Sequence, residues 1–139
     1  MYNGVYDKEQ FAYLHHTLRK WLRLRLRLEG GGLGDRLYQA GIRSAAVYGI
    51  NGLGEDVLLD LNRSPVKVCC LIDRRAVEYP EGLDGLPVLD IESYSESPSG
   101  DVVLVTPEYY FREIAEDLTQ AGIPQERILS LAMALEQEG

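Results

Sequence analysis

The chain has 139 residues, enough for one domain with a substantial core. Its 45% apolar and 26% charged composition is that of a globular protein in water, and no apolar run nears the ~20 residues that cross a bilayer. The net charge of -8 is lopsided: residues 1–43 hold eight Lys/Arg against four Asp/Glu, residues 44–139 six against eighteen, so the acidic body would repel a nucleic acid drawn to the basic end.

The opening "MYNGVYDKEQF" lacks a basic start followed by an apolar stretch, so no signal peptide and a cytoplasmic location are expected. Beyond it, Phe11, Leu14, Leu18, Trp21 and Leu22 recur at spacings of three and four, which predicts a helix. The run "LRLRLRL" over residues 22–28 alternates strictly and would also suit an edge strand. Leu and Arg are good helix formers and no β-branched residue intervenes, so the helix is expected to continue to Gly30. It would carry Leu22 and Leu26 on one side and Leu24 and Leu28 on another, and two apolar sides imply two neighbours.

"EGGGLGD", residues 29–35, reads as a glycine-rich stop and flexible hinge rather than a phosphate loop, because no strand precedes it. "DRLYQAG" then supplies a short helix with Asp35 as N-cap and Gly41 at its C-terminal end.

From there strands and helices alternate. "SAAVYG" is a first strand, "LGEDVLLDLNR" a helix, "VKVCCLID" a second strand, "LPVLD" a third, "DVVLVT" a fourth, "PEYYFREIAEDLTQAG" a long helix and "RILSLA" a fifth strand. "SYSESPSG", residues 93–100, is polar enough for a surface loop. Cys69 and Cys70 are neighbours in the second strand, poorly placed to bridge each other or bind a metal, and read as small buried apolar residues. Apolar strands separated by amphipathic helices predict an α/β Rossmann-like three-layer sandwich. Its parallel five-stranded sheet takes the order 3-2-1-4-5 under right-handed crossovers, preceded by the N-terminal helical extension.

Residues 47–61, "VYGINGLGEDVLLDL", nearly spell a dinucleotide-binding turn. In that turn the first glycine allows the bend, the second lets the backbone approach a pyrophosphate, and the third lets helix and strand pack closely. Gly49 and Gly54 hold the first and third places, whereas Asn51 holds the second with Gly52 just beyond. Asn tolerates the left-handed bend but fills diphosphate space, while the helix N-terminus still favours an anion. Asp73 ends the second strand 24 residues after Gly49, near the spacing of a ribose-binding acid; Arg74 and Arg75 follow and suit a ribose phosphate, and a turn-capping Asp73 with solvated arginines is the alternative. Thr106 and Tyr109, at the end of the fourth strand, face the switch point as candidate base or sugar contacts, with Phe111 assigned to packing.

No catalytic set accompanies these residues. No Tyr has a Lys four residues on, as a short-chain dehydrogenase requires, and His15 and His16 are adjacent and diverge on a helix. A methyltransferase shares the turn and the later acid but wants an acidic residue just before the first glycine, where Val47 and Tyr48 stand, and it ranks lower.

With "VYGINGLG", "LIDRR", "DGLPVLDIESY", "DVVLVTPEYYFREIAEDLTQAGI" and "RILSL" in this order, the chain resembles Rossmann-like domains of bacterial polysaccharide and cell-surface sugar biosynthesis proteins. These include N-terminal domains of sugar acyltransferases and cofactor-like domains of polysaccharide epimerase and dehydratase proteins. The resemblance covers residues 42–132 and divides the chain into a helical extension, 1–41, and a Rossmann-like domain, 42–139. It implies a non-catalytic module binding a nucleotide or nucleotide sugar in a cell-surface polysaccharide pathway. A structural or interaction domain with a decayed site is the competing class, and an NAD(P)-dependent component of a sugar-modifying enzyme comes third. A homodimer, or docking to a partner enzyme domain through the N-terminal helix, is expected.

Overall fold

The computed structural model describes residues 8–26 and 32–135. Its elements in chain order are α1 (Lys8–Leu26), α2 (Leu33–Gln39), β1 (Ser44–Tyr48), α3 (Gly52–Asn62), β2 (Lys67–Ile72), β3 (Val88–Leu89), α4 (Ile91–Glu96), β4 (Val102–Val105), α5 (Phe111–Gln120), β5 (Ile128–Ser130) and α6 (Leu131–Leu135). All strand pairings are parallel and the sheet order is β3-β2-β1-β4-β5, the order expected from the crossover rule. This is a Rossmann-like α/β fold.

Period-two alternation along the strands sends side chains to two cores. Ala45, Val47, Leu71 and Leu104 pack beneath α1, α2, α3 and α6, with Leu18, Leu22, Leu33, Leu37, Leu53 and Val57. Ala46, Tyr48, Ile72, Val103 and Val105 pack on the other face with Tyr94 of α4 and with Ile114 and Leu118 of α5. The first two helices thus share the core of the sheet.

Several local expectations are corrected. The serine-rich segment expected as a loop holds the last four residues of α4: Asp90 caps that helix by accepting the Ser93 amide at 2.7 Å, and Tyr94 is fully buried with its hydroxyl donating to the Ser99 carbonyl. A single buried aromatic anchors a helix whose composition reads as polar. Helix α2 has no side-chain cap of its own from Asp35. Gly32 holds the N-cap position, and Asp60, reaching across from α3, accepts the amides of Leu33 at 3.0 Å and Gly34 at 2.8 Å. The described end of the glycine-rich stretch is therefore pinned instead of hinge-like; residues 27–31, including Leu28, lie outside the described residues. The long helix expected from Pro107 resolves into a 3-10 turn, Glu108–Tyr110, followed by α5. Residues 131–132, expected in the last strand, begin α6.

The adjacent cysteines mark an irregularity in register. Ala45 pairs with Val68 and Ala46 with Cys70, so Cys69 is an inserted residue, and Val68 and Cys70 on either side of it fall in opposite cores. Cys70 is buried and Cys69 only half-buried.

Candidate functional site

The strand order reverses between β1 and β4, and open α/β sheets bind ligands where it does so. A cleft of ≈ 470 Å³ lies there, at the carboxyl ends of β1, β2 and β4. Tyr48, Gly49, Ile50 and Asn51 line it from the glycine turn, Asp73, Arg74 and Arg75 from the end of β2, and Pro107, Tyr110, Glu113 and Ile114 from the approach to α5.

The turn keeps the geometry of its first and third glycines. Gly49 has φ 113°, a left-handed bend that suits glycine. A Cβ on Gly54 would stand 2.1 Å from the Gly49 carbonyl oxygen, so helix and strand approach as closely as the third glycine permits. At the second place Asn51 is the N-cap of α3. Its Oδ1 accepts the Gly54 amide at 2.8 Å, and its Nδ2 donates to Thr106 Oγ1 at 3.3 Å. Thr106 is fully buried and donates to the Tyr48 carbonyl at 2.8 Å. These contacts tie β1, β4 and α3 together, and an amide that an anion would use is already occupied.

Gly52 faces away from the cleft, toward α1. The Arg19 guanidinium lies against it and donates from Nε to Asp56 Oδ2 at 2.8 Å, a pair in which Asp56 is buried. Arg19 and Asp56 were not singled out by the sequence, since nothing in their spacing shows that α1 crosses α3.

Asp73 is buried and holds the turn. Its Oδ2 accepts the Ile50 amide at 2.7 Å and its Oδ1 the Arg75 amide at 2.8 Å and Arg75 Nε at 3.2 Å. Burial raises its carboxyl, but the Ile50 and Arg75 hydrogen bonds and the Arg75 charge outweigh that and leave it below the ordinary aspartate value. Arg75 also donates to the Ile50 carbonyl, which completes a closed corner. Burial raises the Tyr48 phenol above its ordinary value against the lowering effect of the nearby Arg74 charge.

Of the residues expected at the site, Gly49, Asn51, Asp73 and Arg74 line the cleft, while Gly52, Gly54 and Thr106 shape or buttress the turn behind it. Tyr110, not Tyr109, lines the wall, and the two rings meet edge to face at 4.9 Å. Tyr48, Tyr110 and Glu113 also line the cleft and were not among the residues expected there. The position of Tyr48 as the last residue of a strand, and the three-residue step from Tyr110 to Glu113 at a helix start, were the available signals. Among the described residues, no cluster of three or more His, Cys, Asp or Glu is placed to hold a metal. None of the described helices is long and apolar enough to cross a membrane.

No family model matches the chain, and no curated protein matches it. Among solved structures, the chain is similar to the methyltransferase FkbM from Methylobacillus flagellatus KT, with 15% identity and a TM-score of 0.46. The alignment covers 96% of this chain and 37% of that one, so the chain spans little more than a third of the enzyme's length.

Proposed function

We propose that the protein is a binding module for a nucleotide or nucleotide sugar, held in the cleft where β1, β2 and β4 end. The observation that carries this reading is the cleft itself: one continuous ≈ 470 Å³ space at the switch point, with apolar walls from Ile50, Pro107, Tyr110 and Ile114 and polar groups converging from Asp73, Arg74 and Glu113. Ligand pockets combine this kind of apolar body with a few placed polar groups. The engagement of Asp73 and Arg75 in holding the corner, and the raised Tyr48 phenol, favour binding over proton-transfer chemistry. A place in bacterial cell-surface polysaccharide synthesis, in the cytoplasm, follows the sequence resemblance. Thermal shifts with a panel of nucleotides, sugar nucleotides, NAD(P) and S-adenosylmethionine test the reading. A rise in melting temperature with a nucleotide or sugar nucleotide is expected, and a flat panel would overturn it.

The second reading, a protein-interaction domain whose ligand turn has decayed, is favoured by the capping role of Asn51 and by α1. There Tyr13 is 74% and Leu24 56% exposed, while Leu22 is fully buried. On this reading α1 joins two copies, or one copy and a partner enzyme domain, through the side that faces away from α3.

A further inference from the structure

The two arginines after Asp73 diverge at the corner. Arg75 turns back onto Asp73 and the Ile50 carbonyl, so its charge is neutralised and its donors hold the turn. Arg74 lines the cleft together with Tyr48, close enough for its charge to act on the Tyr48 phenol. Among the described residues Arg74 forms no ion pair. It is thus a cation of the cleft with no carboxylate within ion-pair distance, and the Tyr48 phenol lining the same space can donate a second hydrogen bond.

The usual anion seat of such a fold is compromised in the same structure. Asn51 Oδ1 sits on the Gly54 amide at 2.8 Å, in the role that a phosphate oxygen would otherwise play at the start of α3. Arg74 and Asn51 both line the cleft. The same cleft carries Glu113, a pure acceptor when ionised, and Tyr110, which is 44% exposed. Anion-binding and hydroxyl-binding groups therefore line one space together with an aromatic ring.

We infer that the cleft recognises a phosphomonoester on a hydroxylated ring, its phosphate held by Arg74 and the Tyr48 hydroxyl instead of by the glycine turn, and its hydroxyls directed to Glu113. This rests on the cleft being the ligand site and names the ligand's chemistry. A single phosphate suffices because Arg74 is one guanidinium, which grips two oxygens of one phosphate in a fork. A diphosphate threaded along the turn would meet the Asn51 side chain. The hydroxylated ring can belong to a nucleoside or to a sugar, and either would present hydroxyls to Glu113 and a face to Tyr110.

Isothermal titration of the full chain with adenosine and uridine 5′-monophosphate, glucose 1-phosphate, inorganic phosphate and uridine diphosphate glucose tests the inference. At least one organic monophosphate is expected to bind more tightly than inorganic phosphate and than the diphosphate sugar. Arg74→Gln should weaken it tenfold or more and Tyr48→Phe severalfold, with Asn51→Gly within twofold of wild type. Arg74 is exposed, so its variant should melt as wild type does, and melting curves accompany each titration. Unchanged affinity in Arg74→Gln, or a large gain in Asn51→Gly that places the phosphate on the turn, would overturn it. Binding of the diphosphate sugar alone leaves the cleft as a nucleotide-sugar site and sinks the phosphomonoester inference. No binding by any probe sinks both.

Discussion

Glu108 offers a sharp test of the packing around the site. It follows Pro107 in the 3-10 turn, is 8% exposed, and accepts the Leu131 amide at 2.9 Å at the start of α6. Burial pushes its carboxyl up to about 7 from 4.5, against the lowering effect of the Leu131 and Ala132 amides. Because the folded value is raised, the fold favours the protonated acid. The stability this gives is complete below pH 4.5 and is lost as pH rises through about 7. The gap, at about 1.4 kcal/mol per pH unit, amounts to ~3 kcal/mol. Glu108→Gln keeps the shape and an acceptor for the Leu131 amide but removes the titration. Urea unfolding of both proteins from pH 4 to 8.5 should show wild type losing ~3 kcal/mol relative to the variant across that window. A difference that does not change with pH would refute the reasoning, because it would mean that Glu108 stays charged in the fold or reaches water.

Three further outcomes are expected. Gly54→Ala forces a Cβ to within 2.1 Å of the Gly49 carbonyl and should cost about 3 kcal/mol by urea unfolding, whereas a cost under 1 would show that α3 can slide away from β1. Asp73→Asn leaves the Ile50 and Arg75 amides competing for a single carbonyl acceptor and should lower stability at pH 7 by about 2 kcal/mol; since the Asp73 carboxyl is lowered in the fold, the deficit should fade as pH drops below 3.8, and circular dichroism melts across pH 2.5–7 follow it. Leu24→Glu should leave the melting temperature unchanged and, if α1 joins two copies, shift sedimentation toward a monomer. Equal sedimentation coefficients at high concentration would rule out that use of α1.

The sheet was legible because its strands are short apolar runs bounded by Gly, Pro and Asp, and chain order plus crossover handedness leaves few arrangements. The first and third glycines were legible for the same reason: a bend at Gly49 and close packing at Gly54 are backbone demands that only one residue type meets. Where the sequence misled, a side chain distant in the chain had taken over a local task. Asp60 caps α2 from across the core in place of Asp35, and Tyr94 alone anchors α4 within a serine-rich stretch. At the cleft, Asn51 and Asp73 were recognised as candidates, but whether their atoms were free for a ligand depended on neighbours 23 and 55 residues away, which spacing does not reveal. A continuous helix was expected from Pro107, whereas residues 108–110 form a 3-10 turn, and Tyr110 rather than Tyr109 lines the cleft.

The sheet ends in β3 on one side and β5 on the other, two and three residues long. An exposed edge strand is a template on which another chain can add itself, and brevity is one way proteins blunt that hazard. Here neither border offers more than a few backbone groups to an incoming strand, so ordered stacking of copies sheet to sheet finds no run long enough to zip. A partner that recognises this protein must then read its side chains, on the helices or at the mouth of the cleft, because the backbone of the sheet is closed to it.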